Sequence, residues 1–378
     1  MNYFNFNNIT EYQLSITNYC NAACPQCVRN VNGGVKNPYL PLRHLSREAI
    51  DRTFDPELVN KLTQVFFCGG FGDPCMHPDF LDILRDFRRK RKDVWLYIHS
   101  NGGMHNAEWW AELAHIIGPW GQIDFGIDGL ADTNHLYRKN VKWSQLIDNV
   151  TSYIQNGGRA QWNFIIFKHN QHQIEETRQL SQQLGFRSFL PRKTGRFFNA
   201  NTALLFDRWP VLNQKGNIEY YLEPSTLPEA QNASLHRIDW IESQPGGWKQ
   251  YHNTTKIRCV SLMGNKVVIT ADGLVLPCNF FEHNLYDARY HDTAYMPGSN
   301  DLCRDNQGRN QIQELLKFTG HENININNHS LENIFKNNFW NTIVDSWDKT
   351  LDQGRIYECA NTCGEHFTKV WDQGESIQ

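Results

Sequence analysis

Residues 20–27 read CNAACPQC, which sets Cys20, Cys24 and Cys27 in a C-x3-C-x2-C array directly after the stretch 12–17, YQLSIT. The alternation in that stretch predicts a strand over Gln13–Thr17, so three thiols stand on the loop leaving a strand end. Three thiolates fall one short of the tetrahedral ligand set of structural zinc. They can hold three irons of a four-iron cluster and leave the fourth open to an exogenous ligand, and an open iron implies chemistry. The plainer alternative is a zinc knuckle completed by a distant His or Cys.

Around this loop lies a chain of 378 residues, a length that suits one large domain with a smaller partner. Its 40% hydrophobic, 13% aromatic and 20% charged residues exclude disorder for most of its length. Thirty-seven basic against 40 acidic residues give a net charge of -3, so no global field favours nucleic acid or an anionic membrane. No apolar run approaches the roughly 18 residues of a spanning helix. The start MNYFNFNNITEYQ lacks the basic and apolar regions of a secretory signal, and a soluble cytoplasmic protein is expected. In a reducing compartment ten cysteines point to metal binding or catalysis, and none of them falls between Cys75 and Cys259.

The triplet after the first strand resembles that of the radical S-adenosylmethionine (radical SAM) enzymes. The resemblance implies that the amino and carboxylate groups of the cofactor chelate the open iron. It also implies an α/β fold, a partial (β/α)6 barrel, and residues 11–190 carry the alternation such a barrel needs. Strands are expected at Gln13–Thr17, Gln64–Cys68, Val94–Ile98, Ile123–Ile127, Trp162–Phe167 and Phe186–Leu190. Helices are expected at Ser46–Asn60, with Ser46 as N-cap, and at Pro78–Lys90, Asn106–Ile116, Ser144–Gln155 and Gln171–Leu184.

Parallel barrels place their chemistry at the carboxyl ends of strands. After the second strand comes CGGFGDPCMHPD, residues 68–79, whose glycines let the backbone approach a zwitterionic ligand. It is similar to the family's GGE-type motif, which implies cofactor binding by Gly69, Gly70 and Asp73, although the acid is Asp and comes two positions later. HSNGG, residues 99–103, resembles a T-N-G segment and implies Ser100 and Asn101 as cofactor contacts. GIDGL, residues 126–130, resembles S-x-D-G and implies Asp128 on the ribose diol. In HLYRKN, Arg138 stands where relatives pair an arginine with the cofactor carboxylate, and Asn170 is a further pocket candidate. Before the third cysteine, where the family usually places an aromatic residue, stands Gln26, which can hydrogen-bond adenine but offers no ring face. Cys68 and Cys75 are read as packing residues.

Between residues 195 and 255 periodicity fades and prolines recur, so the chain divides into a barrel (1–195), a bridging segment (196–255) and a cysteine-rich tail (256–378) of α+β type. In the tail Cys259 and Cys278 frame two short strands, Val267–Thr270 and Leu274–Leu276, around an Asp-Gly turn. This spacing, and CANTC with Cys359 and Cys363, is similar to the SPASM and twitch domains of radical SAM enzymes. The resemblance implies one auxiliary 4Fe-4S cluster held by Cys259, Cys278, Cys359 and Cys363, with Cys303 left over; a four-thiolate zinc site is the competing reading.

The resemblance implies reductive cleavage of S-adenosylmethionine, a 5′-deoxyadenosyl radical that abstracts hydrogen, and an electron donor such as flavodoxin or ferredoxin. The SPASM likeness implies a peptide undergoing post-translational modification. Because Cys20 lies so near the start, recognition of a leader peptide is expected to need a separate protein. Dehydrogenation of a small alcohol or sugar is the runner-up, and a non-catalytic iron–sulfur or zinc protein comes from a different class. Trp109, Trp110 and Trp340 are expected in the core or the pocket walls, without a nucleic-acid role.

Overall fold

A computed structural model describes residues 4–194, 196–199, 204–205, 207–231, 235–286 and 311–365. Cys303 lies outside them. Six parallel strands, β1 (Glu11–Leu14), β2 (Gln64–Phe67), β3 (Trp95–Ser100), β4 (Gly121–Gly126), β5 (Ala160–Ile165) and β6 (Ser188–Arg192), follow one another in spatial order, as expected of the partial barrel. Each is joined to the next through helix: α1 (Arg47–Thr53) and α2 (Pro56–Lys61), α3 (Phe80–Lys90), α4 (Ala107–Ile117), α5 (Asn134–Tyr137) and α6 (Trp143–Gln155), and α7 (Ile174–Leu184).

The expected helix over Ser46–Asn60 is in fact two. Ser46 caps the first by accepting from Ala49 N, but Pro56 cannot continue a helix, and Asp55 Oδ1 accepts from Leu58 N to start the second. Helix α3 shows the packing logic of the whole outer layer: Phe80, Ile83, Leu84 and Phe87 recur at helical spacing and are buried against the sheet. Each such side chain contributes roughly 1.5–3 kcal/mol. Trp110 and Trp340 are fully buried, as core residues should be.

Past the barrel, β7 (Trp209–Leu212) and β8 (Ile218–Leu222) form an antiparallel pair, followed by α8 (Leu235–Ser243) and α9 (Gly247–Thr254), so the stretch read as irregular carries its own structure. After the short α10 (Val260–Met263), β9 (Lys266–Ile269) pairs in parallel with β1, and β10 (Val275–Leu276) pairs antiparallel with β9. The cysteine-framed hairpin therefore extends the barrel sheet to eight strands, with β1 inside it rather than at its edge. The remaining helices are α11 (Asn279–Tyr286), α12 (Gln311–Thr319), α13 (Leu331–Phe335), α14 (Phe339–Asp345) and α15 (Tyr357–Cys363). Among the described residues no helix is long and apolar enough to cross a membrane.

Candidate active site

The loop after β1 is braced from several sides. Arg29 Nη2 donates to Ala22 O at 2.5 Å, Ala23 N to Lys139 O, and Cys27 N to Cys24 O, each of the latter at 3.0 Å. The thiols of Cys20, Cys24 and Cys27 lie close enough to act on one another electrostatically. Burial pushes the Cys20 and Cys24 thiols up, so an apo loop holds protons that a bound metal would displace. Two donors reach the sulfurs: Asn101 Nδ2 stands 3.6 Å from Cys20 Sγ and Arg138 Nη1 3.8 Å from Cys24 Sγ.

Behind this loop the expected cofactor contacts are brought together, but chiefly with one another. The Asp73 carboxylate, 4% exposed, accepts from Ser100 Oγ, Asn101 N, Asn101 Nδ2 and Cys75 N at 2.8–3.1 Å. It thereby ties the β2 loop to the β3 loop, and Asn101 carries the tie to the cluster loop through Asn21 Oδ1 at 2.8 Å. Asp128, expected on a ribose diol, is wholly buried; one oxygen accepts from Ile165 N and the other from Arg138 Nε, both at 2.6 Å. Both oxygens thus hold elements of the fold, and Asp128 is the group that aims Arg138 at Cys24. Asn170 is likewise spent: it donates to Asp128 O and Ile165 O and accepts from Phe167 N, clamping β4 to β5.

Two glycine positions decide whether these loops can close. A Cβ on Gly72 would stand 2.0 Å from Thr17 O, and one on Gly126 would stand 2.3 Å from Arg138 Nη2. Gly126→Ala is therefore expected to evict the guanidinium, destabilise the protein by about 2 kcal/mol and lower iron retention at the first loop. Thermal midpoint and iron content of the variant check this; unchanged values for both would contradict it.

Gln26 is 6% exposed, and neither atom of its side-chain amide has a partner among the described residues. A buried amide left with its full hydrogen-bonding capacity fits a ligand such as adenine, whose edge presents both donor and acceptor.

On the strand face turned away from the helices, polar side chains alternate inward. Tyr97 OH, Gln161 Nε2 and Asn163 Nδ2 donate to Asp124 Oδ2 at 2.5–2.8 Å, and Gln122 Nε2 donates to Oδ1 at 3.0 Å. His99 Nε2 stands 3.4 Å from Asp124 Oδ2, and its Nδ1 stands 3.7 Å from Cys68 Sγ. Burial works against the charged imidazole, but Cys68 and Asp124 outweigh it and lift His99 to about 9. With 40% of its side chain accessible, His99 can hold or move a proton at the lumen. Residue-by-residue motif reading missed this set; the inward polar alternation of Tyr97 and His99 with Gln122 and Asp124 was its available signal.

The four tail cysteines line one cavity of about 80 Å³, together with Gln13, Phe281 and Trp347. Cys359 and Cys363 are four apart on α15 and so share a helix face. Backbone N–H groups reach the sulfurs, from Ser261 and Leu262 to Cys259, from Phe280 and Phe281 to Cys278, and from Val260 to Cys363. The Cys363 thiol donates to Cys259 and draws it down to about 7, while burial pushes Cys278 up to about 12. Thiols surrounding a void, with amides directed at their sulfurs, fit a polynuclear cluster. The nine described cysteines are all free thiols.

A carboxylate that motif reading did not foresee lies beside the glycine loop. Helix α11, which starts directly after Cys278, buries Glu282 against Gly70, and Ser15 Oγ donates to Glu282 Oε2 at 3.0 Å. No local pattern links residue 282 to residue 70.

Residues 14–181 match the family model described as "Radical SAM superfamily". These residues therefore form a radical SAM domain. The chain matches no curated protein. Among solved structures it is similar to histidine-tagged anSMEcpe with bound AdoMet, at 12% identity and a TM-score of 0.51 over 97% of this chain and 92% of that one. Streptococcus suis SuiB bound to S-adenosylmethionine gives 14% identity and a TM-score of 0.47 over 71% of this chain, which spans 60% of that one. SuiB bound to its precursor peptide SuiA gives 15% identity and a TM-score of 0.49 over 93% and 77% of the two chains. At such identities the anSMEcpe likeness shows a shared radical SAM fold.

Proposed function

We propose that the chain reductively cleaves S-adenosylmethionine at a 4Fe-4S cluster held by Cys20, Cys24 and Cys27 and modifies a peptide substrate. The observation that carries this reading is the triplet loop itself: three thiols after β1, with Asn101 and Arg138 directed at two of their sulfurs. Bound there, cluster and cofactor supply a 5′-deoxyadenosyl radical that abstracts hydrogen.

The chain's own part is binding and orientation. Gly69 and Gly70 bring backbone without side chains to the methionine moiety, Gln26 offers its unpartnered amide to adenine, and Arg138 offers its remaining guanidinium donors to the carboxylate. Asp73, Ser100 and Asp128 hold these groups in place. In the lumen His99, backed by Asp124, handles protons of the substrate.

Cys259, Cys278, Cys359 and Cys363 hold an auxiliary 4Fe-4S cluster, supported by the cavity they line and the amides at their sulfurs. Gln13 lines that cavity and also donates to Cys68 O after β2, so a cluster held there would be linked to the barrel through Gln13 and would supply an electron acceptor. A flavodoxin or ferredoxin supplies the first electron.

The test is anaerobic reconstitution with iron and sulfide, then iron counting and assay for 5′-deoxyadenosine in wild type and in a Cys20→Ala, Cys24→Ala, Cys27→Ala variant. About eight irons, with product from wild type only, is expected. Colourless zinc protein without cleavage would overturn the reading, and about four irons with activity would remove the auxiliary cluster alone. A second reading, oxidation of a small alcohol or sugar, is favoured by the polar lumen, since Gln122, Gln161 and Asn163 could bind hydroxyl groups. A mass change on a peptide, rather than on a polyol, separates the two.

A further inference from the structure

Glu282 is the most conspicuous group that the proposed chemistry leaves unused. It is 1% exposed, it comes from the cysteine-rich tail, and its Oε2 lies 2.6 Å from where a Cβ on Gly70 would stand. Ser15 Oγ, 3.0 Å from Glu282 Oε2, also accepts from Gly70 N at 3.4 Å and lies 3.2 Å from Cys68 O, so its one hydroxyl proton serves either the carboxylate or that carbonyl. The carboxylate is thus built into the wall of the glycine loop. Among the described residues Glu282 forms no ion pair, and the charged group acting on it is a second acid, Asp272, itself paired with Arg43 at 3.1 Å.

A carboxyl group buried without a cation costs stability unless a ligand supplies the positive charge. The neighbouring helix face is committed to the same loop, because His283 and Tyr286 set their rings against Phe71 at 5.5 and 5.7 Å. The position of Glu282 is consequently tied to the β2 loop and to Cys278, which starts its helix.

We infer that Glu282 is a cofactor-binding residue, supplied by the tail, that receives the α-ammonium group of S-adenosylmethionine at Gly69 and Gly70. The inference rests on the proposed cofactor site and adds a residue to it. The loop's own acid, Asp73, is turned inward to Ser100 and Asn101, and Glu282 stands where the loop lacks an outward carboxylate. The auxiliary cysteines thereby acquire a second task. By fixing the start of α11 they complete a binding site in the barrel.

The test measures equilibrium binding to anaerobically reconstituted protein, without turnover, for wild type, Glu282→Gln and Glu282→Asp. The probes are S-adenosylmethionine and its analogue lacking the α-amino group, and cluster absorbance confirms equal loading of each variant. Loss of one charge-assisted hydrogen bond is expected to weaken S-adenosylmethionine binding to Glu282→Gln by about 10- to 100-fold, with partial recovery in Glu282→Asp. The deaminated analogue is expected to bind wild type and Glu282→Gln alike. Equal affinity of both proteins for S-adenosylmethionine would overturn the inference, as would an equal loss for both probes, which marks a structural role. Failure of wild type itself to bind S-adenosylmethionine would instead overturn the cofactor site.

Discussion

Arg138→Met is expected to destabilise the protein by about 3–5 kcal/mol, the usual consequence of leaving one member of a buried ion pair alone. Asp128 is wholly buried, its pair with Arg138 is 2.6 Å long, and its one other side-chain acceptor bond comes from Ile165 N. Burial already pushes the Asp128 carboxyl up, with Arg138 the main group opposing it. Without the arginine it takes a proton at a higher pH than it does when unfolded. Because the wild-type carboxyl is itself raised, the loss relative to wild type grows as pH rises above the folded wild-type value and is smallest in acid. The double variant with Asp128→Asn is expected to recover part of the loss, because an amide needs no counter-ion. Denaturation of the four proteins of this cycle at pH 5 and pH 8 checks it. A loss below about 1 kcal/mol, or no recovery in the double variant, would show that the pair is not the clamp described.

Glu282→Gln is expected to be more stable than wild type in the absence of S-adenosylmethionine, increasingly so at higher pH. Burial, partly offset by Ser15 and reinforced by Asp272, lifts Glu282 to about 8 from an ordinary 4.5. The folded protein therefore keeps a proton that the unfolded chain releases. As pH rises from about 4.5 to about 8 this group subtracts stability, and beyond that the deficit is constant. The full difference is on the order of 5 kcal/mol. Glutamine cannot ionise, so the two proteins should melt together near pH 5 and diverge by several degrees at pH 9. A difference that does not change with pH would refute the assignment. Stability and cofactor affinity thus move in opposite directions at this one position, as expected of a group retained for binding.

How much of this was legible beforehand follows from how far apart the residues lie. Cys20, Cys24 and Cys27 are local in sequence, and their spacing announces the cluster loop without any knowledge of packing. The six strands and their helices are legible for the same reason: period 2 and period 3.6 are written within each segment, and only boundaries shifted, as where Pro56 divides α1 from α2. Glycines 69 and 70 could be marked as places of close approach, but what approaches them could not.

Tertiary structure decided the roles. Asp73 and Asp128 look like cofactor ligands in their motifs, yet folding buries both and turns them on Ser100, Asn101, Ile165 and Arg138, because an unsatisfied carboxylate in the interior is too costly to leave. The His99 and Asp124 pair depends on strand register across the sheet. Glu282 depends on a strand of the tail pairing with β1, a contact between residues some 250 positions apart. Sequence alone determined which chemistry the chain can host, through local spacing of thiols and glycines. The fold determined which side chains are free to take part, since satisfaction of buried charge is settled only when distant segments meet.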